Sequence, residues 1–388
     1  EVADDLASAR LVLPWLLGAA GAPAAFVGFL VPIREAGALL PQLLVAAYIR
    51  RLPKRKGVWI VGALLSALAL AIMALASRSL SGVAAGWSVL ALLSLFSLAR
   101  GLCSVSAKDV LGKTVSKTRR GRLMGYSAAA AGVVTLLIGA GVEVFGARTQ
   151  GMEFFALLLL AAAGTWLLAV ALFAAIVEAP GATQGGGNAL VAALQSLSLL
   201  RSDVELRRFV VARALLLSVA LAPPFYVLLA QQRSAGVTGL GLLIIASGLA
   251  SSLSAPLWGR MGDRSSRRVM VIGAAAAGGL GLATWMLDTA GLPLMDSPWT
   301  YAGLFLLIAV FHSGVRLGRK VYLVDMATQD SRSAYVAISN TVIGAAMLAG
   351  GAVGLVADLL QSAAVIALLG VVSLFAAFYI ARLPEVSG

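Results

Sequence analysis

The segment Gly259-Arg-Met-Gly-Asp263-Arg264-Ser-Ser-Arg267-Arg268 is a short basic stretch between two apolar runs, 237–258 and 268–288. Each run has about the 20 residues that a helix needs to cross the hydrocarbon core of a bilayer. The whole chain follows this pattern, because 60% of its 388 residues are hydrophobic and only 12% are charged. A soluble domain this apolar would expose large hydrophobic patches and aggregate. The sequence therefore predicts an all-α polytopic membrane protein.

The charge and the rare reactive residues exclude several functional classes. The net charge of +13 would suit a nucleic-acid-binding protein only if the basic residues formed a patch with interleaved aromatic side chains. They lie instead in short clusters between apolar runs, so we expect no nucleic-acid partner. The single Cys103 excludes a disulfide scaffold, and the single histidine, His312, excludes most zinc sites. The Gly185–Gly187 run lacks the Lys-Ser/Thr of a phosphate-binding loop. We predict no cofactor, no metal and no enzymatic activity.

Twelve apolar runs are long enough to span a membrane. The connection 178–207 begins with a flexible Gly-rich stretch and continues, from Asn188, with leucines on one helical face, as in an interfacial helix. This predicts an N-terminal six-helix bundle at 1–177, a central cytoplasmic linker at 178–207 and a C-terminal six-helix bundle at 208–388. The approximate bounds of the predicted spans are 11–31, 33–50, 57–77, 84–107, 124–146, 152–177, 208–230, 237–258, 268–288, 299–319, 334–357 and 361–382.

The basic residues predict the orientation of the chain. Of the 30 lysines and arginines, 24 are assigned to the termini or to loops that follow even-numbered spans, with Arg10, Arg316 and Arg319 among them. Loops rich in Lys and Arg stay on the cytoplasmic side of a membrane. The prediction is a multi-pass protein of the cytoplasmic (plasma or inner) membrane with both termini in the cytoplasm.

The two predicted bundles are related by an internal repeat. The segment 120–127 aligns with 332–339 at an offset of 212 residues, and Ile60-Val-Gly62 aligns with Val271-Ile-Gly273 at an offset of 211. Two landmarks far apart in the chain thus share nearly one offset. Repeated six-helix halves are typical of secondary transporters with a site at the repeat interface.

The segment 259–268 resembles the loop signature of the major facilitator superfamily, Gly-x-Leu-x-Asp-Arg-x-Gly-Arg-Arg/Lys. Met261 replaces the Leu and Ser266 replaces the second Gly. The resemblance implies the fold of that superfamily, in which twelve transmembrane helices form two six-helix bundles. It also implies a secondary transporter, and it leaves the subfamily open.

The resemblance also implies a gate at the cytoplasmic ends of the helices. There a glycine allows close helix approach, an aspartate can face a helix N-terminus, and arginines can pair with carboxylates across the gate. The equivalent N-terminal loop has Leu52 in place of the aspartate and Tyr48 in place of the glycine, so the gate is expected to be one-sided. The gate residues of the C-terminal loop are Gly259, Asp263, Arg264, Arg267 and Arg268.

Two candidate functional residues lie inside predicted spans, where ionisable groups are costly and indicate function. Arg100 in the fourth span stands where the family has an Arg-x-x-Gln-Gly pattern linked with proton movement, but Cys103 and Ser104 replace the Gln and Gly. His312 in the tenth span is its repeat partner, 212 residues on. Together they favour a central cavity of positive potential. The alternatives are an Arg100 that packs against backbone carbonyls and a neutral, buried His312.

Four further charged residues are substrate or coupling candidates. Arg34 and Glu35 open the predicted second span, either as a headgroup-level pair or inside the outer mouth with Glu35 as a proton acceptor. Glu143, near the outer end of the fifth span, has the same two interpretations. Arg213 in the seventh span can snorkel to the cytoplasm. The predicted first span contains no carboxylate.

Prolines mark two positions where helices are expected to bend or break. Pro23 is expected to kink the first span, and Pro223 with Pro224 to break the seventh span at the equivalent place. Broken helices that face each other are a common way to build a site at mid-membrane. A tolerated membrane proline is the alternative at each position.

Cations at cavity depth, with few buried carboxylates, favour a secondary active transporter that moves a small anionic or amphipathic organic solute by alternating access. Its expected partners are this solute, the lipid bilayer and protons as candidate coupling ion, and we expect a monomer. A multidrug efflux transporter is one alternative, which the lack of a Gly-Pro element in the fifth span disfavours. A non-transporting assembly factor or receptor of the same fold is the other, and Leu52 in the degenerate loop keeps it open.

Overall fold

The computed structural model describes residues 2–39, 45, 48, 52–145, 151–180, 199–233, 238–328 and 332–386, and within them the chain is helical without a β-strand. The helices of the N-terminal half are α1 Val2–Leu6, α2 Val12–Ala19, α3 Ala24–Leu39, α4 Lys56–Ser79, α5 Gly82–Thr114, α6 Lys117–Phe145 and α7 Met152–Ala174. Those of the C-terminal half are α8 Leu199–Ser202, α9 Val204–Leu215, α10 Leu217–Leu221, α11 Pro223–Arg233, α12 Thr238–Gly262, α13 Ser266–Thr289, a 3₁₀ turn at Pro293–Asp296, α14 Pro298–Met326, α15 Arg332–Gly350 and α16 Val353–Ala381.

The helices have the length and surface of membrane spans. Eight described helical segments of 23 to 33 residues are long and apolar enough to cross a bilayer, at about 1.5 Å of rise per residue. Shorter apolar segments lie in α6 (Ala130–Glu143) and α15 (Ile338–Gly350). Leu137, Leu168 and Leu172 are more than half exposed on the outside of the bundle, where lipid solvates apolar side chains. The predicted all-α membrane fold is confirmed.

The predicted boundary between the first two spans, 11–31 and 33–50, is wrong. The chain leaves α2, turns at Gly21 with a φ of +69°, and enters α3 directly after Pro23. Glycine adopts this left-handed conformation without steric cost, and proline lacks the N–H needed to continue a helix. A hydropathy average does not detect the turn, because apolar residues lie on both sides of it. Pro23 therefore precedes α3 and does not kink the first span.

The helix assignment of the seventh span is interrupted beside its proline pair, although Ala222 keeps helical angles (φ −68°, ψ −42°). Helix α10 ends at Leu221 and α11 starts at Pro223, with Ala222 between them. The preceding helix, α9, shows a second junction at Leu216.

Part of the predicted linker 178–207 is helical. Asp203 caps α9 by accepting the backbone N–H groups of Glu205 and Leu206, each at 3.0 Å. The first four residues of α9, 204–207, consequently lie in the predicted linker. The predicted interfacial helix that starts at Asn188 lies outside the described residues.

The two halves pack against each other at one end of the bundle, which we call the turn end because it contains the turn at 20–23. There α3 packs on α15 and α16, α6 on α12, and α2 on α11. Gly28 and Gly354 allow the backbones of α3 and α16 to approach closely. A Cβ atom on Gly354 would lie only 2.6 Å from the carbonyl oxygen of Ala25.

Polar contacts also join the halves at the turn end. The carboxylate of Asp358 accepts the N–H groups of Ala24 and Ala25 at 2.7 and 3.1 Å, so a side chain of α16 satisfies the start of α3. The Gln231 amide donates to the carbonyl oxygen of Trp15 at 3.0 Å. These contacts join the halves beside a hollow of about 820 Å³ that Gly18, Gln231 and Asp358 help to line.

Candidate functional site

A cavity of about 380 Å³ lies between the two halves. It is bounded by α1, the α1–α2 connection and α6 on one side, and by α11, α12 and α14 on the other. Its hydroxyl groups come from Ser8, Thr135, Ser247, Ser251 and Ser313, and its ionisable groups from Asp5, Arg10, His312 and Arg316.

The cavity extends away from the turn end. A second space of about 210 Å³ shares Ser251, Ser313 and Arg316 with it and continues to Trp258 and Lys320. It leads towards the opposite end of the molecule, which carries 52–56, 263–268 and 383–385 and which we call the basic end.

Asp4 of α1 binds two arginines from neighbouring helices. The guanidinium of Arg100 donates from Nε and Nη2 to the two carboxylate oxygens at 3.0 and 2.6 Å, a bidentate pair. Arg34 of α3 donates to Oδ1 at 3.2 Å. The Arg100 guanidinium also lies over the Trp166 ring, 5.1 Å from its centroid, and that of Arg34 lies over the Phe96 ring at 5.2 Å. Arg100 therefore has a carboxylate partner, and the backbone-carbonyl alternative does not describe it.

Glu35 is bound to Arg10. The distance from Arg10 Nη2 to Glu35 Oε1 is 2.7 Å, and both side chains are about one-third exposed. Glu35 lies eleven residues into α3, about 16 Å along the helix. The predicted placement of Arg34 and Glu35 at a span end is therefore wrong. Inside the bundle Arg34 binds Asp4, whereas Glu35 binds Arg10.

The predicted first span contains no carboxylate, but α1, which precedes it, supplies two. Asp4 and Asp5 lie in α1, which packs against α6 and α7. Asp5 lines the cavity and accepts a hydrogen bond from Thr135 Oγ1 at 2.8 Å. Both aspartates were missed because the first span was started at residue 11. The signal that could have found them is Gly21 with Pro23, which marks a turn inside the predicted span.

His312 lines the cavity, whereas its repeat partner Arg100 does not belong to the lining. The ring is only 6% exposed, and neither nitrogen makes a hydrogen bond of normal geometry among the described residues. The backbone of Val219 lies near the ring, and the surrounding charges are those of Arg10, Arg316 and Arg319. The two repeat partners thus have different surroundings.

Arg213 and Glu143 lie in helix contacts away from the cavity lining. Arg213 is buried and donates to Ser339 Oγ at 2.6 Å and to Asn340 Oδ1 at 3.0 Å. The snorkelling prediction is wrong, because α15 supplies acceptors inside the bundle. Glu143 lies where α6 crosses α12, and a Cβ atom on Gly241 would come within 2.7 Å of its carboxylate.

The loop that follows α12 forms contacts within its own half. Ser265 caps α13 by accepting the Arg268 N–H, and its hydroxyl lies 2.6 Å from Glu385 Oε2. Arg267 pairs with Glu385 at 3.3 Å and donates to the Leu383 carbonyl at 2.7 Å. Of the other predicted gate residues, Asp263, Arg264 and Arg268 are exposed and Gly259 lies in the last turn of α12. A pairing of these residues across the two halves stays a prediction.

A similar cluster forms at the N-terminal half. The Glu178 carboxylate accepts the backbone N–H groups of Arg55 and Lys56 at 2.8–2.9 Å and pairs with Lys113 at 3.0 Å. Burial alone would raise the pKa of Glu178, but these donors hold it below its ordinary value. Asp109 completes the cluster by pairing with Arg55 and Lys113. Glu178 thus supplies a carboxylate in the half that has Leu52 in place of the signature aspartate.

Sequence reasoning missed Glu178 and Glu385. Each follows the last helix of its half by four residues and contacts the start of α4 or α13. The available signal was a glutamate within two residues of a proline after the last span of each half, in Val177-Glu-Ala-Pro180 and Leu383-Pro-Glu385. The repeat comparison did not extend to these termini.

Several basic residues that the charge count assigned to loops or termini lie within or between helices, and Arg10, Arg316 and Arg319 are among them. Arg10 connects α1 with α2, and Arg316 and Arg319 belong to α14. Arg10 and Arg316 line the cavity. The charge count grouped Arg316 and Arg319 with the following loop although the predicted tenth span, 299–319, contains both.

Two helical halves that meet at one end and enclose a polar cavity form the architecture of secondary transporters. Residues 208–387 match the family model described as Major Facilitator Superfamily. The resemblance drawn from residues 259–268 is therefore confirmed, by sequence for the C-terminal half and by fold for the whole chain. The subfamily is not specified.

Solved structures of the same fold cover nearly the whole chain. A D-xylose-proton symporter has a TM-score of 0.71 at 16% identity, with 99% of this chain and 94% of that chain covered. The inward open conformation of the xylose transporter XylE from E. coli has a TM-score of 0.69 at 13% identity, covering 100% and 95%. A POT family transporter in complex with 5-aminolevulinic acid has a TM-score of 0.72 at 11% identity, covering 98% and 94%. No curated protein matches the chain by sequence.

Proposed function

We propose that the protein is a secondary active transporter that moves a small anionic or amphipathic organic solute by alternating access. The observation that carries this proposal is the polar cavity between two halves that are in contact at the turn end. In this mechanism residues 1–177 and 208–388 rock against each other as rigid bundles, and 178–207 connects them. The solute reaches the cavity from one side of the membrane at a time.

We infer the orientation from the basic clusters in the loops and near the helix ends. With Arg10, Arg316 and Arg319 removed from the count, 21 of the 30 basic residues still belong to the predicted cytoplasmic set. We therefore place the basic end and both termini in the cytoplasm and the protein, as a monomer, in the cytoplasmic membrane. In this orientation the cavity extends towards the cytoplasm.

Protons are the coupling ion that the structure supports best. Asp4 is a carboxylate between two guanidinium groups inside the bundle, and protonation of Asp4 would remove the charge that holds Arg34 and Arg100. The fold is shared with a D-xylose-proton symporter. We assign proton coupling to Asp4 and Arg100, with Arg10 and Glu35 as a second pair beside the cavity.

An untargeted flux measurement tests the proposal. Proteoliposomes are loaded with a mixed metabolite extract, a pH gradient is imposed, and the solutes that leave or accumulate are identified by mass spectrometry against empty liposomes. Flux of one small solute class, enhanced by the gradient, is the expected result. Flux confined to lipophilic cations would indicate multidrug efflux. Absence of any flux, together with a stoichiometric co-purifying partner, would indicate an assembly factor or receptor.

A further inference from the structure

We propose that Arg316 binds the anionic group of a hydrophilic organic solute, so that the cavity takes a hydroxylated carboxylate or phosphate. The inference rests on the proposed transport function and assigns the substrate class of its site. Arg316 lies on α14 where the main cavity meets its branch towards the basic end, and its side chain is exposed to this space. A solute that enters from the basic end therefore passes its guanidinium.

Three other arginines near the site have carboxylate partners, and Arg319 of α14 does not line the cavity. Arg34 and Arg100 share Asp4, and Arg10 binds Glu35. In the described part of the chain no carboxylate lies within the 4.0 Å ion-pair distance of Arg316. Since Arg10 neutralises Glu35, the positive charge of Arg316 has no counter-ion of its own.

A cation without a counter-ion in this position favours an anionic ligand. Low-dielectric surroundings strengthen electrostatic interactions and make an uncompensated charge costly. A carboxylate or phosphate offsets that cost and can accept two parallel N–H···O bonds from one guanidinium. Arg10 and His312 adjoin Arg316 in the lining and carry no negative charge, so they do not oppose an anion there.

The remaining lining indicates what the rest of the solute is like. Ser251 and Ser313 adjoin Arg316, while Ser8, Thr135 and Ser247 extend the hydroxyl surface. Asp5 lines the wall of the N-terminal half. An anionic group is therefore expected at the α14 wall, with hydroxyl donors of the solute towards Asp5. The volume of about 380 Å³ suits a small metabolite.

Binding to the purified full chain in lipid nanodiscs tests this assignment. The probes are gluconate (carboxylate), glucose 6-phosphate (phosphate), glucose (neutral) and tetraphenylphosphonium (a lipophilic cation). We expect at least one of the two anions to bind more tightly than glucose. Arg316→Gln is expected to weaken this binding roughly 10- to 100-fold, the magnitude of a lost charge-assisted hydrogen-bond pair.

Two further variants control the experiment. Arg316→Lys keeps the charge without the planar fork, so it is expected to retain part of the affinity, and it reports on the site if Arg316→Gln folds poorly. Arg208→Gln removes an exposed charge from α9 and is expected to bind like the wild type. Tighter binding of gluconate would indicate a carboxylate solute, and tighter binding of glucose 6-phosphate would indicate a phosphate solute.

The assignment is overturned if neither anion binds, if glucose or tetraphenylphosphonium binds as tightly, or if folded Arg316→Gln keeps the wild-type affinity. The transport function is judged separately by the untargeted flux measurement. Flux of a neutral or cationic solute by the wild type would remove the anion assignment and leave the transporter standing. No flux at all would remove the transport function itself.

Discussion

At the scale of single residues, Asp4 and its two arginine partners form the ion-pair cluster to which we assign proton coupling. A buried ion pair is weak as a source of stability, because the desolvation of both charges offsets much of their attraction. Removing one partner is costly only if the other is left alone. Here Asp4 binds Arg100 and Arg34 together, so loss of one guanidinium leaves the carboxylate with a partner.

This geometry predicts a functional rather than a folding defect for Arg100→Ala. We expect the variant to purify as a folded protein and to lose solute transport, because Arg34 still compensates Asp4 while the bidentate pair is gone. Proteoliposome flux and thermal unfolding are the measurements, with Arg208→Ala as the control. Wild-type flux in Arg100→Ala would show that the residue serves packing alone.

A second residue-scale prediction concerns the carboxylate itself. Asp4→Asn keeps the size of the side chain and removes the charge that a proton would otherwise neutralise. We expect it to lose gradient-driven accumulation while it retains solute exchange without a gradient. Asp296→Asn, at an exposed position of the turn end, is the matched control. Accumulation at the wild-type level in Asp4→Asn would remove Asp4 from the coupling step.

At the scale of elements, the segment after the last helix of each half binds the start of the third predicted span of that half, α4 or α13. Glu178 binds the N-terminus of α4, and Glu385 contacts the Ser265 cap and Arg267 at the start of α13. A carboxylate at a helix N-terminus satisfies N–H groups that have no partner within the helix and interacts favourably with the helix dipole. Each cluster therefore stabilises the basic end of its own bundle.

The lowered pKa of Glu178 predicts how the N-terminal cluster responds to acid. A carboxyl whose pKa is depressed on folding stabilises the protein above its ordinary value of 4.5, and this contribution is lost as the pH falls through the folded pKa. We expect Glu178→Gln to lower the melting temperature at pH 7 and to differ less from the wild type as the pH falls below 4.5. Melting curves across this range provide the test, with the exposed Glu153→Gln as control. A pH-independent difference would contradict the linkage.

At the scale of the whole molecule, the halves touch at the turn end, and the cavity extends towards the basic end. Alternating access requires the turn-end contacts to break as the other end closes. Gly28 and Gly354 provide close packing, while Asp358 provides directional hydrogen bonds to the start of α3. Asp358→Ala removes the hydrogen bonds without adding a larger side chain, whereas any substitution of Gly28 or Gly354 adds one.

We therefore expect Asp358→Ala to shift the protein towards the state that is open at the turn end. Spin labels on Leu80→Cys and Asp296→Cys, one in each half at that end, report the distance between the halves. The native Cys103 is buried, which limits background labelling. The expected result is a larger population of long distances than in the wild type or in Glu153→Gln. An unchanged distance distribution would mean that packing alone closes this end.

The amino-acid sequence by itself determined the membrane class, the helical repeat and the family resemblance, because hydropathy, charge clustering and the 259–268 motif are properties of contiguous residues. It also indicated the helix interruption beside Pro223 and Pro224, where the backbone chemistry is local. The sequence could not predict the ion pairs. Asp4 and Arg100 are 96 residues apart, and only the packing of α1 against its neighbours brings them together.

The tertiary structure likewise decided where the first helix begins and which arginines face the cavity. A hydropathy average cannot separate a charge that ends a span from one that lines a polar space inside the bundle, since both interrupt an apolar run. Arg10 and Arg316 belong to the second kind. They could be recognised only once the halves enclosed a cavity, because the cost of a buried charge depends on the side chains that surround it in space.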